Sequence, residues 1–106
     1  MLDRTPLHID VVQRDATTVA LVLSGDLDHD SVAQLAALTF AAGYRRIDMD
    51  LSALSFIDSS GLAALLRLHE QAAGVNAALH VVALTPYLRG LFTMTALDRV
   101  FTLPPG

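Results

Sequence analysis

The chain has 106 residues and a formal net charge of −4, from eleven acidic residues against seven arginines, with no lysine and no cysteine. This length allows one domain with a single core, and the lack of cysteine excludes a disulfide framework and a thiolate metal site. The acidic balance argues against a nucleic-acid backbone as the main ligand and fits a protein partner better.

Hydrophobic residues make up 53% of the chain, which is high for so small a domain. No uninterrupted apolar run approaches the roughly 18 residues that a membrane span needs, and the N-terminus lacks a positive segment followed by an apolar core. We therefore predict a soluble, unprocessed, cytoplasmic protein. Its high apolar content predicts that some apolar surface stays exposed for a different partner or for a homodimer.

Two strands are predicted at the start of the chain. Leu7, Ile9 and Val11 alternate with the polar residues His8 and Asp10, which indicates a first strand. After a predicted turn at 14–17, segment 18–23 is apolar on both faces, which is typical of a strand inside a sheet. Together they predict an antiparallel hairpin.

A polar loop with three carboxylates is predicted at 24–31, followed by a helix. Ser31 and Gln34 fit a capping box, although Asp28 could equally be the cap. The apolar spacing predicts that this helix runs from residue 32 to Gly43.

The middle of the chain combines a predicted strand with a predicted amphipathic helix. Residues 46–51 alternate apolar with acidic side chains, which indicates a strand with one solvated face. Apolar residues then recur at spacings of three and four up to Gly74, and the predicted buried face comprises Leu62, Leu65, Leu66, His69, Ala72 and Ala73. In the connection between strand and helix, Phe56 and Ile57 are expected to lie in the core.

Asp58, Ser59 and Ser60 are predicted to form the cap and first turn of this helix. The first turn of a helix leaves backbone N–H groups unpaired and carries partial positive charge, so it stabilises an anion such as a phosphate on either serine. Gly61 has no Cβ to obstruct another protein. Asp-Ser-Ser is also an ordinary capping sequence, and spacing alone favours that interpretation.

The last third of the chain predicts a strand at 76–84, a short helix that begins with Thr85 as cap and Pro86 at its first position, and a final strand at 98–103. The predicted order is β-β-α-β-α-β-α-β. Strands separated by single helices pair in parallel through right-handed crossovers, so we expect an α/β fold with a mixed, mainly parallel sheet. The acidic alternation of Asp48 and Asp50 predicts that the helices cover mainly one face.

Three segments together closely resemble the STAS domain of anti-anti-sigma factors: Ser-Gly-Asp-Leu-Asp at 24–28, Asp-Leu-Ser-Ala-Leu-Ser-Phe-Ile-Asp-Ser-Ser-Gly-Leu at 50–62, and Leu-Arg-Gly-Leu-Phe at 88–92 with a later Leu97. The resemblance covers about residues 7–103. It implies that residues 1–106 form one STAS domain.

The resemblance also implies a phosphorylation-controlled partner switch. The unmodified protein would bind an anti-sigma factor that is also an ATP-dependent serine kinase, freeing a sigma factor, and phosphorylation of Ser59 would end that binding until a phosphatase restores it. Ser60 would be a neighbouring or secondary acceptor, Asp58 would present the hydroxyl or contact the kinase, and Asp28 would face the same partner, with Gly61 beside them. No cofactor is expected here, since ATP would bind the kinase.

Two other classes of function are weighed against this one. A serine hydrolase needs a base and an oxyanion site, and the chain has no Gly-x-Ser-x-Gly elbow; its four histidines show no metal-binding spacing. We therefore expect neither an enzyme nor a metal site.

Alternatively, STAS-like domains serve as accessory subunits of membrane transport complexes, without phosphorylation. The absence of lysine, and Ala63 where many relatives have glycine, leave the partner's identity open.

Overall fold

A four-stranded sheet organises the fold, and the structure, a computed structural model, describes residues 5–40 and 43–105. The strands are β1 (His8–Gln13), β2 (Thr18–Leu27), β3 (Arg46–Ile57) and β4 (Ala78–Ala83), in the order β1-β2-β3-β4. The pair β1–β2 is antiparallel, whereas β2–β3 and β3–β4 are parallel. The predicted mixed, mainly parallel α/β sheet and its N-terminal hairpin are confirmed.

Three α-helices connect or follow the strands. They are α1 (Val32–Ala36), α2 (Ser59–Gly74) and α3 (Pro86–Met94), and a 3₁₀ turn follows at Leu97–Arg99. Thr85 caps α3 as predicted, because its hydroxyl accepts a hydrogen bond from the Leu88 N–H at 3.2 Å and Pro86 occupies the first turn. None of the helices in the described residues is long and apolar enough to cross a membrane.

The core lies between one face of the sheet and the helices, as predicted. Alternate residues of β2 and β3 are completely or almost completely buried and join one apolar cluster with the leucines of α2 and Phe92 of α3. These strand residues are Val19, Leu21, Leu23, Ile47, Met49 and Leu51. On the opposite face, which we call the open face, Val22, Asp48 and Asp50 are half-buried.

Both central strands are longer than predicted. Segment 24–27, expected to be loop, continues β2, and segment 52–57, expected to be a connection, continues β3. The sequence did not reveal these extensions because the pairing of β2 with β3 contains two shifts of register. At one of them β3 advances three residues, from Asp50 to Ala53, while β2 advances two. Each bulge adds a residue and disrupts the period-2 pattern. Phe56 is consequently 44% exposed instead of lying in the core, while Ile57 is buried as expected.

The predicted fifth strand at 98–103 is wrong for most of its length. Residues 97–99 form the 3₁₀ turn, and within the described residues the segment keeps one isolated bridge, between His80 and Thr102. The Val81 N–H donates to the Thr102 carbonyl at 2.9 Å. Pro104 follows and has no N–H with which to extend a ladder.

Two helices also differ from their predictions. Helix α1 ends at Ala36, well before Gly43, because the Leu38 N–H donates to the Leu35 carbonyl in a tighter turn and the weak helix formers Thr39 and Phe40 come next. Residues 41–42 lie outside the described residues. Helix α2 ends at Gly74 as predicted, but its buried residues are Gly61, Ala64, Leu65, Leu68 and Ala72. The buried face of α2 is therefore rotated from the predicted one, because three of its five buried residues are small glycine or alanine residues.

Candidate functional site

The candidate site lies where the carboxyl ends of β2 and β3 meet the first turn of α2. Asp58 is the N-cap of α2, as predicted: its Oδ1 accepts a hydrogen bond from the Gly61 N–H at 2.9 Å. Its second oxygen, Oδ2, accepts a hydrogen bond from the His29 N–H at 3.1 Å, in the loop between β2 and α1. One carboxylate therefore joins the helix start to the loop that contains Asp28.

Asp28 shapes this loop. Its Oδ1 accepts hydrogen bonds from the N–H groups of Asp30 at 3.0 Å and Ser31 at 3.1 Å, and the residue is only 6% exposed. The Ser31 hydroxyl accepts from the Asp28 N–H and donates to the Asp26 carbonyl, so it does not cap α1. Ser31 occupies the N-cap position without a side-chain capping bond, and the Asp28 carboxylate accepts from N–H groups of the turn before the helix, so neither alternative caps α1 with its side chain. A partner that binds here would therefore contact the surface of this loop more than the buried Asp28 carboxylate.

Ser59 is the first residue of α2 and its side chain is exposed, whereas Ser60 is half-buried. The Gly61 N–H and the Leu62 N–H are both satisfied by Asp58, through its carboxylate and its carbonyl respectively. The N–H groups of the two serines are among the donors that a helix start leaves without an intrahelical partner. A negative group on Ser59 would thus lie at the positive end of the helix dipole and remain reachable from solvent.

Gly61 faces the protein interior, in contrast to the open approach expected for it. A Cβ at this position would lie 2.4 Å from the Leu27 carbonyl oxygen and 2.7 Å from Cγ1 of Ile57. Real Cβ atoms do not approach backbone so closely. Gly61 therefore lets α2 pack directly against the ends of β2 and β3, which sets the position of Ser59.

The structure adds Phe56 and Asp26 to the predicted site residues. The two residues are register partners on neighbouring strands, and both lie at the strand ends close to Asp58. An exposed aromatic ring beside a carboxylate is a surface that suits protein recognition. The only signal in the sequence was the spacing of three between Leu51, Leu54 and Ile57, which marks the buried positions of a bulged strand.

The surface beside the loop is acidic. A cleft of about 180 Å³ opens there, and its walls include Asp26, Asp28, Asp30 and Gln34. The Asp26 Oδ2 accepts a hydrogen bond from the Thr5 N–H at 3.1 Å. In the part of the chain that the structure describes, no group of three or more metal-ligating side chains is found. The net charge of −4 favours a cationic surface on a protein that binds this chain.

The sequence matches the family model described as "Mlab, STAS domain" over residues 11–105. Among solved structures, the chain is similar to an anti-sigma factor antagonist from Mycobacterium paratuberculosis, with 26% identity over 94% of this chain and 86% of the other and a TM-score of 0.76. It is also similar to the anti-sigma factor antagonist SpoIIAA in its unphosphorylated form, with 24% identity, 92% and 89% of the two chains covered, and a TM-score of 0.75.

Two further similar structures are a phosphorylated protein and an anion transporter. The Bacillus cell fate determinant SpoIIAA in its phosphorylated form is 24% identical over 92% of each chain, with a TM-score of 0.67. Part of the murine solute carrier 26 member A9 anion transporter is 15% identical, covering 82% of this chain but 15% of the transporter, with a TM-score of 0.70. At these identities the similarity concerns the fold.

Proposed function

The chain belongs to the STAS domain family, and on that basis we propose that it is an anti-sigma factor antagonist whose binding is switched off by phosphorylation of Ser59. In its unmodified form it binds an anti-sigma factor that is also a serine kinase, and so releases a sigma factor for transcription. The kinase supplies ATP, so this chain needs no cofactor. A phosphatase removes the phosphate and restores binding.

The observation that carries the proposal is the placement of Ser59. Its side chain is exposed on the first turn of α2, and Asp58 ties that turn to the Asp28 loop through two hydrogen bonds. A kinase can reach the hydroxyl without unfolding the domain. The half-buried Ser60 is less accessible, which makes it a secondary acceptor at most.

The charge of a phosphate accounts for release of the partner. Phosphorylation adds about −1.5 to −2 charges at pH 7, next to Asp58 on a chain whose net charge is already −4. Inside an interface this charge would have to be desolvated and would repel an acidic neighbour. A loss of about 3 kcal/mol in binding free energy would weaken affinity about a hundredfold. The helix start offsets part of the local cost, so the modified domain can stay folded.

The names of the similar structures support this assignment. Two are described as anti-sigma factor antagonists, and SpoIIAA is described in both an unphosphorylated and a phosphorylated form. Assignment of Ser59, Ser60, Asp58 and Asp28 to these roles rests on the resemblance and on the geometry of this chain.

A phosphorylation assay tests the acceptor. The protein is incubated with ATP and each candidate anti-sigma kinase, and the modified residue is located by mass spectrometry. We expect one phosphate, on Ser59, which Ser59→Ala abolishes. Ser55→Ala is the matched control, because Ser55 is also exposed and lies near the end of β3. Modification that persists in Ser59→Ala would contradict the assignment.

A second function keeps the fold and changes the partner: an accessory subunit of a membrane transport complex that works without phosphorylation. The observation that favours it is the match between most of this chain and part of an anion transporter. Affinity purification from the native host separates the two. A transport subunit would copurify with membrane proteins and keep Ser59 unmodified, whereas the antagonist would copurify with an ATP-binding regulator.

A further inference from the structure

Strand β1 forms one edge of the sheet, and it is unusually apolar for an exposed edge. It pairs only with β2 in the described chain. Val11 is 56% exposed and Val12 is 45% exposed. Unpaired strand edges readily add another strand, and proteins usually protect them with lysine, proline or a covering segment. This chain has no lysine, and β1 contains no proline.

The free backbone groups of this edge can be assigned from the hairpin. The Arg14 N–H donates to the Thr18 carbonyl at 2.9 Å, so the N–H and C=O groups of Arg14 point toward β2. Along an antiparallel strand, the N–H and C=O groups of successive residues point alternately toward one neighbouring strand and away from it. Val12 and Asp10 therefore also point their backbone groups toward β2, while Val11 and Gln13 point theirs away from the sheet.

We propose that β1 pairs antiparallel with β1 of a second copy of this chain, about a twofold axis at Val12. In this register Val12 faces Val12 of the second copy, and Asp10 faces Arg14 of the second copy on either side of the axis. These are non-hydrogen-bonded positions, where Cα atoms approach to about 4.5 Å and side chains are closest. Val11 and Gln13 of the two copies exchange about four backbone hydrogen bonds.

Charge complementarity selects this register over its neighbours. A register centred on Asp10 would oppose two carboxylates, and one centred on Val11 would place Asp10 against Val12 and His8 against Arg14. A register centred on Ile9 opposes His8 and Asp10 but leaves Arg14 without an acidic counterpart. The register centred on Val12 forms two opposite-charge pairs and one apolar pair, and the His8 ring, 2.9 Å from the Asp10 carboxylate, adjoins each charge pair.

Such a dimer would leave both candidate sites accessible. Because β1 is antiparallel to β2, the Arg14 end of β1 lies beside the start of β2 at Thr18. The site lies at the other end of β2, about 30 Å away along the strand. The dimer would therefore be one continuous eight-stranded sheet that presents two copies of Ser59 at distant ends. This inference does not depend on the proposed function.

Sedimentation of the purified chain tests the proposal over about 10 μM to 1 mM, a range that covers weak dimers. We expect a reversible monomer–dimer equilibrium. Asp10→Arg and Arg14→Asp should each weaken dimerisation by about tenfold or more, because each opposes like charges. The double variant Asp10→Arg/Arg14→Asp should recover it, because the pairs are rebuilt with reversed polarity.

A second set of variants separates this edge from other apolar surfaces. Val12→Lys places two ammonium groups at the axis and should abolish the dimer, whereas Val82→Lys, at a valine with 43% exposure on β4, should leave it intact. Hydrogen exchange at the Val11 and Gln13 amides should slow as concentration rises. A chain that stays monomeric throughout the range, or a dimer that Val12→Lys does not disturb, would overturn the proposal.

Discussion

The carboxylate of Asp58 serves two elements at once, because one oxygen caps α2 and the other accepts the His29 N–H. An asparagine keeps one acceptor oxygen and replaces the other with an amide donor that would face an N–H group. We expect Asp58→Asn to lower the free energy of unfolding by about 1 kcal/mol and to speed amide exchange at His29 severalfold. Asp98→Asn, at an exposed aspartate in the 3₁₀ turn, is the control and should change neither. Unchanged exchange at His29 in Asp58→Asn would show that the loop is held by other contacts.

Gly61 gives a second prediction at a single residue. A methyl group there meets the Leu27 carbonyl and Ile57, so Gly61→Ala must displace α2 and should lower the free energy of unfolding by about 1–3 kcal/mol. Gly90 offers a matched comparison, because a Cβ at that position in α3 meets no atom within 4 Å. There the helix propensity of alanine should raise stability by about 0.5–1 kcal/mol. Chemical denaturation of both variants measures the contrast, and equal effects would show that the tight packing at Gly61 is relieved cheaply.

Single residues also show which parts of the site were visible in the sequence. The Asp58 cap and the exposed Ser59 follow from local chemistry, because a carboxylate before a helix competes well for its N–H groups. The hydrogen bond from His29 to Asp58 joins residues far apart in the chain, and no local pattern encodes it. The outward direction of Phe56 depends on bulges in the pairing of β2 with β3, which appear only once the sheet is assembled.

Among the secondary-structure elements, the β1–β2 hairpin carries a pH-dependent contact in its turn. Asp15 Oδ1 accepts hydrogen bonds from the N–H groups of Thr17 and Thr18, both at 2.8 Å, and these bonds, chiefly that from Thr17, lower the pKa of Asp15. A carboxyl group with a lowered folded-state pKa contributes stability that is fully present above its unfolded pKa, about 3.9, and is lost as pH falls through the folded value.

We therefore expect the Thr17 and Thr18 amide resonances to shift together during acid titration, with a midpoint below pH 3.9. The nuclear magnetic resonance signals of Asp15→Asn should lack this transition, because the amide does not titrate. A midpoint at or above the ordinary aspartate value would show that the turn does not hold the ionised carboxylate.

Elements with strong local signals were predicted correctly, and those controlled by tertiary pairing were not. The amphipathic pattern of α2 and the Thr85-Pro86 start of α3 are properties of short sequences. The length of β3 depends on how β2 pairs with it, and the early end of α1 depends on a tightened turn after Ala36. The prediction of a final strand was wrong because a 3₁₀ turn and Pro104 prevent this segment from pairing along its length with the sheet.

For the whole molecule, a negative charge at the helix start should block the proposed partner without unfolding the domain. Ser59→Asp should weaken binding to the anti-sigma kinase by about a hundredfold, equivalent to about 3 kcal/mol, whereas Ser59→Ala should bind like the wild type. Ala73→Asp, at an exposed site about 21 Å along α2, adds the same charge and should bind normally. Calorimetry measures the affinities, and thermal unfolding confirms that all three variants fold. Equal weakening by both aspartates would indicate a general charge effect instead of a local switch.

The net charge of −4 leads to a related expectation about kinetics. Association with a cationic partner should slow as salt rises from about 0.05 to 0.5 M, since the Debye length falls to a few ångströms, while dissociation should change less. Stopped-flow measurements of both rates test this. A salt-independent association rate would mean that long-range attraction plays no part in the encounter.

The bulge that turns Ser55 and Phe56 outward has a practical consequence. Because the polypeptide lacks any native thiol, Ser55→Cys would introduce one uniquely reactive handle at the edge of the candidate site. A fluorescent dye coupled there would change its emission when another macromolecule covers the adjoining surface. The bulged geometry thus offers an optical reporter that could follow capture and release in real time.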